Sequence, residues 1–573
     1  MSTISHSLDD NTLRPSTEGE SARLPYGVGT ISRQAMWGAL ILGIIVVAGV
    51  IAFIYQLKEG LVVTGLRDWG SMRGSPWGLY IAFDVYFVGV SFAGITMAAM
   101  IRLLNVKALR PVARVAELLT IVSLILAGMS VLSDLGQPGR GIVNLFEYAR
   151  PQSPFFGTFT LVLAGYLFAS VVYFYLAGRR DAYLMAQYPS RFRKFYELWA
   201  AGYRDTPKQR ARYARTSLLL SLAIIPLLVT AHSTLGLVFG LMSGRPGWYS
   251  TLQAPAFVVL AGVSGIGHIV VIAALLRYAL HETEQIGLET FKTLGLYLLV
   301  LSIVYAYFTA LEVLTSSYAG HEADWEVTKL LLGGAYAPYF WTAVAALLTA
   351  ICILGAQAFT GKWSIAWTVV AGVMVNVTAI GKRLIIVTPA LTHGSLLPYP
   401  KGFYRPSWVE LAIIIGLMAL GALLILGFVK VFPAMELPGY GNAGEDASGA
   451  RLSEETNLSE HAPVGGAQVN RGEEQQSEAS LAPHETQKNL NGKQERISGR
   501  QRTAAVVAAL MVVVGLVATV GAYFFLAAPW GMPPSSIRYS EPRMPFAATI
   551  VVGGVILVFL AAVVYELWPD KSK

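Results

Sequence analysis

Long runs of apolar residues recur along almost the whole chain and are separated by short polar loops. Each run has about 20 residues or more, the length that an α-helix needs to cross a hydrocarbon core of about 30 Å. A transmembrane barrel would instead show alternating segments of about ten residues. The pattern therefore predicts an all-α, polytopic membrane protein. The twelve predicted spans lie near residues 35–56, 78–103, 112–134, 155–178, 216–243, 254–281, 292–318, 336–360, 363–389, 409–433, 502–527 and 546–567.

Two polar segments interrupt this pattern. Residues 1–34 are rich in Ser, Thr and Glu and lack the charged-then-apolar order of a cleavable signal peptide, so we predict a disordered tail. Residues 434–500 are rich in Glu, Gln, Ser and Asn and poor in aromatic residues. Such a segment cannot bury enough apolar surface to fold. It predicts a disordered linker between a ten-helix domain at 35–433 and a C-terminal transmembrane helix pair at 501–573.

The composition limits which cofactors this chain can hold. Only 14% of its residues are charged, against about a quarter in soluble domains, and the lone cysteine, Cys352, lies within an apolar run. One thiol cannot hold an iron–sulfur cluster, and the motif for covalent haem is missing from the sequence. Two histidines, His232 and His268, lie in predicted spans, whereas a di-haem cytochrome of the b type needs four. We therefore expect no haem or iron–sulfur cluster on this chain, and His232 is better suited to hydrogen bonding or proton exchange.

Basic residues predict the orientation in the membrane. The segment 179–215 carries ten Lys and Arg residues against three acidic residues, so it is expected to lie in the cytoplasm. Both termini and the linker then lie on the same side, and the loops after spans one, three, five, seven and nine face outward. An additional role of this segment in docking membrane lipid or a partner stays open. The sequence gives no indication of nucleic-acid binding.

Six of the charged residues inside the predicted spans are candidates for a functional site, since a charge near mid-membrane costs about 2.5–3.5 kcal/mol. With the orientation above, all six fall in the outer half of the membrane, although the loops that set the orientation contain none of them. Together they predict a polar pocket that exchanges protons with the outside. The six residues are Asp84, Asp134, Glu312, Lys382, Arg383 and Glu410.

Structural explanations remain open for some of these residues. Asp134 could cap a turn at the interface, with Arg140 as a basic anchor that extends to the headgroups. Glu410 at a helix start could interact with the helix dipole. Lys382 and Arg383 could serve in part to neutralise nearby acids.

Several sequence blocks resemble a known family. They are PWGLYIAFDVYFVGVSFAG at 76–94, DLGQPGR at 134–140 with the following NLFEY and PQSPFFGTF, and then IPLLVTAHSTLGLVFG, RPGWYST, PAFVVLAGVSG and GFYRPSWVE. In this order they resemble the NrfD/PsrC family, the membrane subunits of polysulfide-reductase-like complexes. The resemblance extends from about residue 76 to residue 430, and its specificity lies in the combination of blocks.

The resemblance implies two four-helix bundles with a quinone or menaquinone bound near the outer surface. It implies a ferredoxin-like iron–sulfur subunit on the outer face, joined to a molybdopterin catalytic subunit or a multihaem cytochrome c that carries out the terminal catalysis. Electrons would pass between the quinone pool and that iron–sulfur subunit, with proton translocation in some relatives. The implied quinone-binding residues are Asp84, Asp134, Arg140 and His232. The implied proton path comprises Glu312, Lys382, Arg383 and Glu410.

Two other functions remain open at this point. The buried charges could form the ion or substrate site of a secondary transporter, although the ten helices show no internal repeat and no matched pair of interrupted helices. The chain could also be a purely structural anchor without a quinone.

Overall fold

The computed structural model describes residues 24–66, 75–148, 160–242, 244–280, 285–318, 321–393, 402–437, 499–521 and 543–567. Most of the predicted N-terminal tail and almost all of the predicted linker lie outside the described residues, so the disorder of both stays a prediction.

The described part of the chain is helical, apart from one isolated bridge between Leu66 and Ser75. Each of the twelve predicted spans corresponds to a helix, and the predicted all-α, polytopic fold is confirmed. The long helices are α1 Arg33–Glu59, α2 Leu79–Leu103, α3 Arg110–Asp134, α5 Thr160–Ala186, α7 Pro207–Gly240, α8 Gln253–Leu280, α9 Leu288–Tyr318, α11 Ala337–Thr360, α12 Ile365–Val387 and α14 Trp408–Val431, followed by the C-terminal pair Gly499–Gly521 and Arg543–Leu567.

Ten candidate membrane spans in the described residues are long and apolar enough to cross a membrane. The other two long helices, α2 and the first of the C-terminal pair, have shorter apolar stretches at Leu79–Gly94 and Ala505–Ala518. Short helices occupy several connections between the spans: α4 Pro138–Tyr148, α6 Arg193–Ala200, α10 Glu322–Leu332 and α13 Pro389–Thr392.

Local sequence signals explain where the helices start. Ser32 precedes α1 and its side chain accepts a hydrogen bond from the backbone of Ala35. Thr206 caps α7 in the same way, and Pro207 at the first helical position needs no hydrogen-bond partner for its nitrogen. Such caps satisfy backbone N–H groups that the first helical turn leaves without an acceptor.

Helix α2 lies at the centre of the molecule. It packs against α3 and α7 on one side and against α8 and α12 on the other. The helices α2, α3, α5 and α7 form a first bundle, and α8, α9, α11 and α12 form a second. Helices α1 and α14 pack together beside α3, where Gly49 and Gly416 allow close approach, since a Cβ on Gly49 would lie 2.9 Å from the Cα of Gly416.

Hydrogen bonds between helix ends define the two ends of the bundle. At the first, which we call the site end, α1, α3, α9 and α12 finish and α2, α8, α11 and α14 begin. The Gly65 amide, just after α1, donates to Glu410 at the start of α14, at 2.7 Å. Gln253 at the start of α8 donates to Glu312 near the end of α9, at 3.3 Å.

The opposite end, which we call the basic end, holds the segment 179–215. Here the Gly29 amide, before α1, donates to the carbonyl of Lys430 near the end of α14 at 2.9 Å. Much of the segment that was predicted as a polar loop is helical, because α5 extends to Ala186 and α7 begins at Pro207. Three of its charged residues are buried and paired: Arg179, Arg180 and Asp181.

The last helix, Arg543–Leu567, packs against α5 and α7 of the first bundle. Near its end the buried carboxylate of Glu566 accepts a 2.8 Å hydrogen bond from Thr216 and forms ion pairs with Arg179 at 3.4 Å and Arg212 at 3.6 Å. The C-terminal pair is thus attached at the basic end by charge as well as by apolar packing.

Replacing Glu566 with glutamine should weaken this attachment by about 1–3 kcal/mol, because two arginines then lose a charged acceptor in a buried site. The measurement uses a protease site placed in the linker and asks how much of the cleaved C-terminal pair remains bound in detergent. Glu197→Gln, which changes an exposed acid on α6, is the matched control. Equal retention by all three chains would contradict the role given to Glu566.

Candidate functional site

The six charged residues predicted within spans all lie near the site end. Asp84 is the sixth residue of α2, Asp134 is the last of α3 and Glu410 is the third of α14. Glu312, Lys382 and Arg383 lie six, five and four residues before the ends of α9 and α12. The structure separates them into two groups: a first group with Asp84, Asp134 and Glu410, and a second with Glu312, Lys382 and Arg383.

Asp84 on α2 and Asp134 on α3 lie close enough for their charges to interact. Asp84 is completely buried, and neither of its carboxylate oxygens has a hydrogen-bond partner among the described residues. Asp134 is half-buried, and its Oδ1 likewise lacks a partner in that part of the chain. A buried carboxylate in this situation must carry a proton or receive a hydrogen bond from a ligand.

A hydrogen-bond network holds the end of α3 in place beside this pair. The Tyr80 hydroxyl donates to the side-chain oxygen of Gln56 at 2.5 Å, and the Gln56 amide donates to the carbonyl of Ser133 at 2.8 Å. Ser130 on α3 donates to the carbonyl of Tyr80 at 2.7 Å. Residues from α1, α2 and α3 therefore fix the position of Asp134.

Both carboxylate oxygens of Glu410 accept hydrogen bonds. One oxygen accepts from the Tyr404 hydroxyl at 2.5 Å, and the other accepts from the Gly65 amide at 2.7 Å and the Ser407 amide at 2.8 Å. With Ser407 it forms a capping box, in which each side chain accepts from the other's backbone at the start of α14. Its carboxylate still interacts electrostatically with Asp134.

Tyr404 connects Glu410 to α2. Its hydroxyl oxygen also accepts a 2.7 Å hydrogen bond from the Leu79 amide, one of the amides at the start of α2 that lack a helical acceptor. Burial, together with the negative charge of Glu410, raises the pKa of Tyr404 above its ordinary value. The phenol therefore stays protonated and continues to donate to Glu410.

His232 lies deeper, between α2 and α7. Its Nε2 is 3.0 Å from the carbonyl of Val88, which is one helical turn beyond Asp84, and its Nδ1 is 2.8 Å from the carbonyl of Leu228. A neutral imidazole carries one N–H and can donate to one of these two oxygens at a time. The histidine is buried against the rings of Phe92 and Tyr166.

The second group lies among α8, α9 and α12. Glu312 and Lys382 form an ion pair, and Gln253 also donates to Glu312. The Arg383 guanidinium is buried over the ring of Phe257, 4.0 Å from its centroid. A crevice between α9, α11 and α12 leads to Lys382 and is lined mainly by apolar side chains, with Tyr305 among them.

Helix α2 lies between the two groups and contacts residues of both. A Cβ on its Gly89 would lie 3.2 Å from the hydroxyl of Ser264 and 3.8 Å from Nη2 of Arg383, so the glycine leaves room for the second group. The charge of Arg383 is also close enough to act on His232. Three residues nearer the site end of α2 than Gly89, the Tyr86 hydroxyl donates to Asn376 of α12 at 3.0 Å.

The side-chain hydrogen bond of Arg140 does not connect it to either group. Its guanidinium is exposed in α4 and donates to the side chain of Gln137 at 3.1 Å. Of the residues predicted for quinone binding, the structure thus brings Asp84 and Asp134 together, places His232 about one turn deeper and places Arg140 at the surface.

The uncharged residues around the two groups were not predicted from the sequence: Gln56, Tyr80, Gln253, Tyr305 and Tyr404. Gln56, Tyr80 and Gln253 lie within the first or last turn of their helices at the site end, so a polar residue at a span end was an available signal for these three. Tyr404 lies in the segment before α14 and Tyr305 lies in the interior of α9, where no such signal marks them. Within the described residues, no group of three His, Cys, Asp or Glu side chains is placed to hold a metal ion.

Comparisons with known proteins agree with the sequence resemblance. The family model described as polysulphide reductase, NrfD, matches residues 70–393. A protein of Halobacterium salinarum described as a membrane subunit of dimethyl sulfoxide reductase is 29% identical over 433 residues, which cover 72% of this chain and 94% of the relative.

Two further relatives are each 25% identical over 412 residues, which cover 69% of this chain. One is a selenate reductase subunit of Mesobacillus selenatarsenatis, covered to 93%. The other is the Hdr-like menaquinol oxidoreductase integral membrane subunit of Archaeoglobus fulgidus, covered to 92%. Because the family model spans more than half of the sequence and the fold is a multi-pass helical one, this chain belongs to the NrfD family of polysulphide reductase-type integral membrane proteins.

Proposed function

We propose that the chain is the quinone-reactive membrane subunit of a respiratory oxidoreductase complex. In this proposal the Asp84–Asp134 pair exchanges protons with a quinol or quinone at the site end. The observation that carries it is the buried Asp84 carboxylate, whose oxygens lack a partner among the described residues. The relatives support the proposal through their names, since two are reductase subunits and one belongs to a menaquinol oxidoreductase.

The residues at the site fit such a ligand. A quinol hydroxyl is a donor for which the unpartnered oxygens of Asp84 and Asp134 are suitable acceptors. Residues one turn from Asp84 on the same face of α2, such as Ile81, Phe87 and Val88, are buried and apolar, which suits a ring with an isoprenoid tail. The carboxylates are also held in position, because Tyr80 and Gln56 fix the end of α3.

A bound quinone would supply chemistry that couples two electrons to two protons. Asp84 would take up or release a proton at one of its Oδ atoms. Asp134 is half-buried and would pass that proton toward the site end. His232 would hold the backbone of Val88 beneath Asp84 and so keep the carboxylate at a fixed depth.

The second group extends the proposal to proton transfer across part of the membrane. Glu312, Lys382 and Arg383 would exchange protons with the site end, near which the Glu312–Lys382 ion pair lies. Glu410 was predicted as a member of this path, but its three accepted hydrogen bonds favour a structural part in holding the loop after α1 against α14.

The same proposal assigns partners and orientation. A ferredoxin-like iron–sulfur subunit would dock at the site end, on the outer face of a prokaryotic plasma membrane, where the exposed Arg140 could contact it. A molybdopterin catalytic subunit or a multihaem cytochrome c would complete the complex. The basic end and both termini would then be cytoplasmic.

Asp134→Asn in the purified complex tests this function. Quinol-dependent turnover should fall by about 10- to 100-fold, because asparagine keeps the shape of the side chain but cannot exchange a proton. Activity of the partner subunits with an artificial dye should be unchanged. Glu322→Gln, an exposed acid at the start of α10, is the matched control and should retain both activities.

Full quinol turnover in Asp134→Asn would argue against the assignment. Isolation in mild detergent separates the alternatives, because a secondary transporter should purify without an iron–sulfur subunit. Finding no quinone in lipid extracts of the active complex would support a purely structural anchor instead.

A further inference from the structure

The short helix α6, Arg193–Ala200, is only partly covered by the rest of the protein. Tyr196, Trp199 and Ala200 pack inward, and the Trp199 ring stacks on Phe432 with centroids 4.4 Å apart. Yet Leu198 is 78% exposed.

At 100° per residue, Leu198 and Phe195 continue the apolar face begun by the inward-facing residues. Phe195 is also exposed, at 42%. The charged residues Arg193, Lys194 and Glu197 occupy the other side of the helix. About half of a broad apolar face therefore lacks a protein neighbour, as is typical of helices that lie in the plane of a membrane surface.

Hydrogen bonds fix the depth of α6. The Tyr196 hydroxyl donates at 2.7 Å to the carbonyl of Val431, the last residue of α14. Arg179 donates to the carbonyl of Ala200 at 3.3 Å and also pairs with Glu566, in the last turn of the final helix. The helix thus lies at the level where two membrane-spanning helices end, which is the level of lipid headgroups.

Two basic side chains border the exposed apolar face. Lys194 lies next to Leu198 around the helix, at the boundary between its apolar and charged sides, and Arg191 precedes the helix; both are exposed. Arg193 is engaged by Glu197 at 2.8 Å. Lys194 and Arg191 thus combine positive charge with apolar side chains at headgroup depth, the chemistry that attracts anionic phospholipids.

We propose that α6 is an anionic-lipid binding element. Leu198 and Phe195 rest in the acyl-chain boundary of the leaflet at the basic end, and Lys194 and Arg191 bind the phosphates of lipids with net negative headgroups. The proposal is independent of the quinone site, which lies at the other end of the bundle.

Native mass spectrometry of the purified complex tests the headgroup part of the proposal. The complex should retain phosphatidylglycerol in preference to phosphatidylcholine, and Lys194→Gln should weaken phosphatidylglycerol retention by about fivefold. Lys362→Gln, which removes an exposed charge in the α11–α12 loop at the same end, is the matched control and should leave retention unchanged. Equal retention of the two lipids, or equal effects of the two substitutions, would overturn the proposal.

Site-specific fluorescence tests the depth of the helix. Leu198→Cys is labelled in a full chain that also carries Cys352→Ser, and the complex is placed in bilayers with brominated lipid. The label at 198 should be quenched, whereas a label at Glu197→Cys, on the charged side of the same helix, should not. No quenching at either position, or protection of position 198 only when a soluble protein is added, would show that α6 docks a protein and would overturn the lipid assignment.

Discussion

Replacing Asp84 with asparagine is expected to lower quinol-dependent turnover by about 100-fold or more while leaving the protein as stable as before, or more stable. Turnover falls because the amide cannot exchange a proton. Stability does not fall, because the substitution removes a buried carboxylate whose oxygens have no partner among the described residues. The measurements are quinol and artificial-dye turnover of the same complex, and thermal unfolding in detergent.

A serine provides the matched control for Asp84. Ser302 on α9 is also completely buried, and its hydroxyl has no partner in the described part of the chain. Ser302→Ala should leave turnover unchanged and the protein as stable as before, or more stable. If the Asp84→Asn variant unfolds, the carboxylate is a structural group. If the variant turns over quinol normally, the proton-exchange role of Asp84 is wrong.

Breaking the Glu312–Lys382 ion pair should have the largest effect on stability. Glu312→Gln and Lys382→Met should each destabilise the protein by about 3–5 kcal/mol, because each leaves one charge without its partner in a largely buried position. The double variant should recover most of the loss, since neither charge then remains. Unfolding of the four chains in detergent, analysed as a double-mutant cycle, measures the interaction.

The same four chains separate stability from proton transfer. If the pair belongs to a proton path, the double variant should regain stability but not proton uptake coupled to quinol turnover. The exposed pair Lys292–Glu289 at the start of α9 is the control, and breaking it should cost at most about 1 kcal/mol. Recovery of both properties in the double Glu312/Lys382 variant would limit that pair to a structural role.

The helices and the general position of the site could be predicted from the sequence. Apolar runs long enough to cross a membrane leave few alternatives to a helix, because backbone groups in lipid must be satisfied within the segment. Charges are costly in the same runs, so Asp84 and Glu312 stood out individually. Successive spans run in alternating directions, and this alternation was enough to place all six charges at one end of the bundle.

The partners of those charges could not be predicted, because they come from distant parts of the chain. The Tyr404 hydroxyl reaches Leu79, 325 residues away in sequence, and only the packing of α14 and α1 beside α3 makes that contact possible. Arg140 shows the converse. It is six residues from Asp134, yet α4 turns its guanidinium toward Gln137 at the surface.

The docking of the C-terminal pair could not be predicted from the sequence either. Glu566 lies at the end of its span, where an acid is usually exposed at the membrane surface. Its partners Arg179 and Arg212 belong to the basic segment, whose charges the positive-inside rule explains without any pairing. An acid at a span end indicates a buried ion pair only when arginines are known to lie at the same end of the bundle, as Arg179 and Arg212 do beside Glu566.

The attachment of the last helix through Glu566 has a consequence for assembly. A small membrane protein that occupied the face of α5 and α7 as a separate polypeptide would dissociate when the membrane was diluted with lipid or detergent. Tethering on one chain makes that association intramolecular, so occupancy depends on an effective concentration set by the linker and not on expression level. Every copy of the first bundle is therefore made with this helix in one-to-one stoichiometry.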